Sequence, residues 1–157
     1  MARVTPFLWF DGQLGAALET YSRIFGDAAV LGVTRLPAGA PGAPADGVLS
    51  ARFTLGGQEI LAMNGGSQHA FTPAFSLFIA CADQAEVDHY WDALLDGGQA
   101  SQCGWLTDRF GLTWQVVPDV LGELLSDPDQ ARAGRVMSAM LGMVKLDVAA
   151  LVAAAQG

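Results

Sequence analysis

Basic charge is what this 157-residue chain has least of. Eight Lys and Arg stand against sixteen Asp and Glu, a net charge of −8, and charged residues make up only 15% of the chain. No Lys/Arg cluster occurs anywhere. A nucleic-acid backbone or an anionic membrane surface would repel such a chain, so neither is an expected partner. Cysteine is nearly absent too. Cys81 and Cys103 show no CxxC spacing and have no pair of histidines beside them, which excludes a disulfide framework and a structural zinc site. A reducing cytoplasm is the compartment that fits. Long hydrophobic runs are missing: "FSLFIACA" and "VAALVAAA" are far shorter than a membrane span, and the N-terminus reads as a short strand rather than a targeting signal. Also lacking are a GxSxG elbow, an HExxH pair, an aspartate-rich calcium loop, and the GxGxxG or GxxxxGK[ST] loops that cradle phosphates.

Apolar residues, by contrast, make up 52% of the chain. That fraction supplies a core, and the length suggests one domain over residues 1–157. With so few charges, some apolar surface is expected to be covered by another copy of the chain, in a homo-oligomer.

Periodicity orders the first half. "VTPFLWF" is β-branched and aromatic and reads as a strand ended by Asp11-Gly12, after which Leu14, Ala17, Leu18, Tyr21, Ile24 and Phe25 recur at helical spacing. "AVLGVTRL", "VLSARFTL" and "QEILAMN" read as three strands, the last two joined by a Gly56-Gly57 hairpin signal. Between the first two of these lies "PAGAPGAPADG", whose Pro, Gly and Ala predict a mobile loop.

The order then recurs. "AFSLFIAC" reads as a strand, and Asp83 with Glu86 makes a capping-box-like start to a helix carrying Val87, Tyr90, Trp91, Leu94 and Leu95. Short strands follow near 98–102 and 103–107, with a hairpin return at 112–117. With the turn centred on Arg109 and Phe110, Trp105 and Trp114 are expected to lie nearly opposite each other as an aromatic pair. Strand-helix-strand-strand-strand thus occurs twice, as modules over 1–66 and 74–118, and a helical extension follows over 119–157. In that extension Ser126-Asp127-Pro128 signals a helix start and Asp147 a cap; Val136, Met137, Met140, Leu141 and Val144 form a stripe that reads as core or interface. Asp127 and Asp129 belong to the helix start rather than to an acid/base pair.

The duplicated module, with the phrases "PFLWFDGQ", "GQEILAMNGG", "QCGWLTDRFGLTWQVVP", "LLSDPD" and "RVMSAMLGMVKLDVAAL", resembles the PhnB-like branch of the vicinal oxygen chelate superfamily, often labelled demethylubiquinone methyltransferase-like. Glyoxalase I, extradiol dioxygenases and bleomycin-resistance proteins belong to that superfamily. The resemblance implies an α+β fold: two βαβββ modules forming a cupped, mixed eight-stranded sheet, with a cavity in its concave face, usually in a homodimer. In metal-using relatives the cup holds a divalent ion on side chains of the first, fourth, fifth and eighth strands, mostly His and Glu. Aligned strand against strand, those corners fall near Thr5, between Ile60 and Asn64, near Phe75, and at Gln115.

A tightly held catalytic ion needs imidazole or carboxylate donors. Thr5, Phe75 and Gln115 offer a weak hydroxyl, a benzyl ring and a neutral amide, so no metal and no other cofactor is expected, Glu59 being the only stray carboxylate close by. A methyltransferase using S-adenosylmethionine on a doubly wound sheet needs a strand, a glycine-rich turn and a helix. Asn64-Gly65-Gly66 has the glycines without a following helix start, so the activity in the family label is not expected here.

The expected function is therefore binding of a small hydrophobic or aromatic molecule by Thr5, Phe7, Trp9, Asn64, Phe75, Leu77, Cys103, Trp105 and Gln115. His69 joins them if "NGGSQHAFTP" folds over the cup mouth. Two alternatives stand beside it. One is a superfamily enzyme, a lyase, dioxygenase or transferase, with a metal site or with Cys103 as nucleophile activated by His69 or His89. The other is an interaction subunit whose cup is filled by its own side chains.

Overall fold

A computed structural model describes all of residues 1–157, which divide into two compact units, 1–71 and 72–157. In the first, apolar-polar alternation sets the architecture. The elements are β1 (Phe7–Phe10), α1 (Leu14–Ile24), β2 (Ala29–Arg35), β3 (Val48–Leu55) and β4 (Gln58–Asn64). They make a sheet of order β1-β4-β3-β2, in which β1 runs parallel to β4 and the other pairs are antiparallel. Leu8, Phe10, Ala51, Phe53, Leu55, Ile60 and Ala62 are buried on the face toward α1, whose Leu14, Ala17, Leu18, Tyr21 and Ile24 are buried as well. Each large apolar side chain sunk there contributes about 1.5–3 kcal/mol of burial. Gly56 and Gly57, at φ of 55° and 75°, supply the two left-handed residues a tight hairpin needs.

The Pro/Gly/Ala segment between β2 and β3 is a chain of turns. Ala40, Ala43 and Gly47 donate backbone N–H groups to Pro37, Ala40 and Pro44, and Leu36 donates to Gly47 across the base. Its end is tied down by Asp46, whose carboxylate accepts from the N–H groups of Gly15 and Val48 at 2.8 and 2.9 Å.

The second unit repeats the module: β5 (Ser76–Cys81), α2 (Gln84–Leu95), β6 (Gln99–Ala100), β7 (Trp105–Thr107) and β8 (Thr113–Pro118). The sheet order is β5-β8-β7-β6, with β5 parallel to β8. The eight expected strands are all present, four in each of two mixed sheets. Asp83 caps α2 by accepting from the Glu86 N–H at 3.0 Å, and the Glu86 carboxylate accepts from the Ala82 N–H at 2.8 Å, completing the predicted reciprocal cap.

One expected register is corrected. Trp105 lies opposite Gln115, and Leu106 lies opposite Trp114, so the two tryptophans are on different faces of the sheet. The loop between β7 and β8 holds an odd number of residues, Asp108 to Leu112, because the Asp108 carboxylate organises it. That carboxylate accepts from the N–H groups of Phe110 and Leu112 at 2.9 and 3.0 Å and from the Trp114 indole at 2.8 Å. Gly111, at φ 87°, completes the turn. A one-residue change of loop length exchanges the faces of every residue it controls.

The extension forms α3 (Asp119–Leu125), α4 (Gln130–Leu141) and α5 (Val148–Gln156). Asp147 caps α5 as expected; α4 starts at Gln130, capped by Asp129, while Asp127 accepts from the Asp129 N–H. Leu121, Val136, Leu146, Leu151 and Ala155 form a buried cluster between these helices, flanked by Val117, Met140 and Met143. No helix is long and apolar enough to cross a membrane.

Candidate functional site

Each sheet keeps one face away from its module's helix, and the chemistry-bearing residues collect there. On the first sheet this open face carries Phe7 opposite Leu61 and Trp9 opposite Met63, continued by Arg52 beside Leu61 and Ser50 beside Met63. Phe7 is 56% exposed. A shallow hollow of about 350 Å³ lies over this face, lined among others by Leu31, Gly32, Thr34, Ser50, Arg52 and Leu61.

Trp9 is locked in place. Its indole N–H donates to the Gly66 carbonyl at 2.8 Å, and the His69 ring meets it edge-on at 4.9 Å. A side chain at Gly65 would collide with the indole, since a Cβ there would sit 2.3 Å from the ring. The "NGGSQH" stretch therefore folds back onto β1. Gly65 admits the tryptophan ring, and Gly66 supplies the carbonyl that its indole meets.

On the second sheet the open face is a row of Phe78, Gln115 and Trp105, one residue from each of β5, β8 and β7. The Gln115 amide donates to the Ser76 hydroxyl at 2.9 Å, and Phe78 is 59% exposed. One amide and one hydroxyl thus stand among aromatic rings. Burial raises the thiol pKa of Cys81, on the opposite face, to about 11, with Glu86 and Asp119 adding to the effect.

Not all of the sequence-expected residues share these faces. Phe7 and Trp9 stand together on the open face of the first sheet, with Thr5 just before β1; Gln115 and Trp105 stand together on that of the second. Asn64 lies opposite Phe10 and is buried on the helix side. Its amide accepts from the Leu14 N–H at 3.0 Å and donates to the Val48 carbonyl at 2.8 Å and to Asp46. Leu77 pairs with Trp114 and so faces away from Gln115; its neighbour Phe78 takes the place expected of it. Phe75 precedes β5 in a turn closed on Thr72. Cys103, at φ 57°, points its thiol at the Met140 carbonyl, 3.5 Å away, and His89 meets Tyr90 edge-on. Phe78 and Ser76 escaped sequence reasoning because parallel pairing across a crossover leaves no local signal, whereas Leu61 and Met63 fall inside the 60–64 stretch aligned to a corner.

The metal that the superfamily implies does not fit the donors present. No three His, Cys, Asp or Glu side chains converge to hold an ion. Moving one residue along at the corners brings Val4 or Pro6, Ala74 or Ser76, and Trp114 or Val116, none of them an imidazole or carboxylate. Glu59 is engaged by Arg3 at 3.7 Å. A neutral amide and a hydroxyl serve hard ions only within a richer oxygen set.

Two mixed sheets, each built in βαβββ order, define the vicinal oxygen chelate fold, and solved structures agree. A PhnB protein from Bacillus cereus is 29% identical, with 74% of this chain covering 99% of that one at a TM-score of 0.68. Protein PA1353 from Pseudomonas aeruginosa is 24% identical, with coverages of 75% and 98% and a TM-score of 0.58. A mutant of the fosfomycin resistance protein FosX from Listeria monocytogenes, complexed with Mn(II) and dihydroxypropylphosphonic acid, is 15% identical, with coverages of 73% and 90% and a TM-score of 0.53. The chain belongs to the family described as 3-demethylubiquinone-9 3-methyltransferase, whose model matches residues 2–117. A comparison with curated proteins found no match. The doubly wound parallel sheet with a glycine-rich turn that can receive a methyl donor is not the architecture here: both sheets are mixed, and Gly65 packs against the Trp9 ring.

Proposed function

We propose that the chain is a metal-independent binding protein for a small, partly aromatic molecule, held on the open face of the second sheet and working as a cytoplasmic homodimer. The observation that carries this reading is the Phe78–Gln115–Trp105 row. Rings supply apolar contact there, and the Gln115 amide, with one N–H given to Ser76, retains a second donor and its carbonyl for a polar group of the ligand. Such a wall binds without chemistry, because it holds neither an activated nucleophile nor a ligand set for an ion. Two free cysteines suit the cytoplasm. Exposed Met137, Leu141 and Val144, away from the Gln115 row, are the kind of surface a second copy covers.

A thermal-shift series with substituted phenols and the matching toluenes, run with and without EDTA, tests the reading. Phenols are expected to raise the melting temperature more than toluenes, and Gln115→Leu to erase that difference while keeping the apolar part of the shift. Stabilisation that disappears with EDTA, or no stabilisation by any compound, contradicts it.

A further inference from the structure

The family match ends at residue 117, just before α3, so the three C-terminal helices lie outside what the family model describes. Where they land on the second sheet is informative. Val117 follows Gln115 by two residues and lies on the same face, opposite Ala80 as Gln115 lies opposite Phe78. It packs with Met140 and Met143 against the buried cluster of the extension. On the neighbouring strand, the chain two residues before Trp105 is stapled to the same turn. Cys103 donates its N–H to the Met143 carbonyl at 2.9 Å, Gly104 donates to Val144 at 2.8 Å, and the Cys103 thiol meets the Met140 carbonyl. Gly104 makes the approach possible: its φ is 82°, and a Cβ there would sit 2.7 Å from the Val116 carbonyl and 3.0 Å from Leu146.

The turn is also fixed from behind. The Gln84 amide donates to the Leu146 carbonyl at 3.2 Å and accepts from the Val148 N–H at 2.8 Å. Lys145 lies 2.7 Å from Asp88 and 3.3 Å from Asp92. Mutual hydrogen bonding with Asp88 raises the pKa of the ammonium and lowers that of the carboxylate. Such a contact is complete above the ordinary range of an aspartate and below that of a lysine, so it holds throughout neutral pH.

We infer that the extension closes one end of the Gln115 face, and that Met140 and Met143 form a stop limiting how far a bound molecule extends along the strands. The inference rests on the binding reading above. It adds the ligand class: a compact aromatic with a short tail rather than a long-chain lipid. One residue pair along a strand advances about 7 Å, so only that much room separates the Gln115 row from the row the extension covers. Unbranched, polarisable thioether side chains make an adaptable stop against rings and alkyl tails.

Isothermal titration of the full chain with 4-alkylphenols of increasing tail length, from methyl to octyl, tests the stop. Affinity is expected to rise by about fourfold per added methylene and then to fall past a cut-off length. Replacing both Met140 and Met143 by Ala is expected to move that cut-off to longer tails, because each change removes three heavy atoms from the stop. Met143→Leu keeps the volume and the cut-off. Met143→Phe, which reads the stop without opening a cavity, shortens it. An unchanged cut-off in both the Ala and Phe variants, or affinity that climbs without limit in the native chain, overturns the stop while leaving the binding reading intact. No binding of any alkylphenol to the native chain overturns both.

Discussion

Asn64 shows how a residue suited to ligand contact is consumed by structure. Its amide joins the start of α1, the end of the Pro/Gly/Ala segment and β3, through Leu14, Asp46 and Val48. The sequence marks it only as the last residue of a strand before two glycines, and Asp46, eighteen positions earlier, gives no local sign of the partnership. Asn64→Leu removes that acceptor and both donors and is expected to cost about 2–4 kcal/mol in urea unfolding with an unchanged m-value. A loss below the scatter of the measurement contradicts the assignment. Cys81 is a second case. Its thiol pKa stands near 11 in the folded state against an ordinary 9.0, chiefly through burial. The folded state therefore holds this proton more tightly than the unfolded state does. That contribution is fully present below pH 9 and is lost as the pH climbs toward 11. A thiol reagent at pH 8 is expected to label Cys81 only at the rate of unfolding; rapid labelling in the folded chain contradicts this.

Elements were legible where a local rule governs them. Period-two alternation marks β3 and β4 at their observed ends, Gly56-Gly57 marks their hairpin, and Asp83 with Glu86 marks the start of α2. Pairing was less legible, because it depends on side chains that reach across turns. The tryptophans of β7 and β8 were expected face to face, and the Asp108 carboxylate, by holding one more residue in the loop, sends them to opposite faces. That shift brings Gln115 beside Trp105 and so builds the candidate site. Asp108→Ala leaves two loop N–H groups and the Trp114 indole without their acceptor, and is expected to cost about 3 kcal/mol or more by denaturant unfolding. A neutral effect contradicts the role given to the carboxylate. Gly65→Ala is expected to cost about 1–3 kcal/mol for the same class of local reason, since a methyl group there meets the Trp9 ring.

For the whole molecule, the duplicated module was readable from element order and the family from its short phrases, and both stand: the structure has two βαβββ units and the family model covers residues 2–117. Composition alone gave neither. The site divides differently. Residues on strands with firm alternation, Phe7 and Trp9, share an open face, whereas Leu77 and Asn64 lie on the helix sides. The two modules keep the order of a metal-binding superfamily with a donor set of hydroxyl, amide and aromatic groups. The most direct measurement is the metal content of the chain purified without chelator, by plasma mass spectrometry. Zinc, iron, manganese, nickel and copper are each expected far below one atom per chain. One atom of any of them per chain, retained through gel filtration and lost on replacing Gln115 by Leu, would contradict a metal-independent binding face.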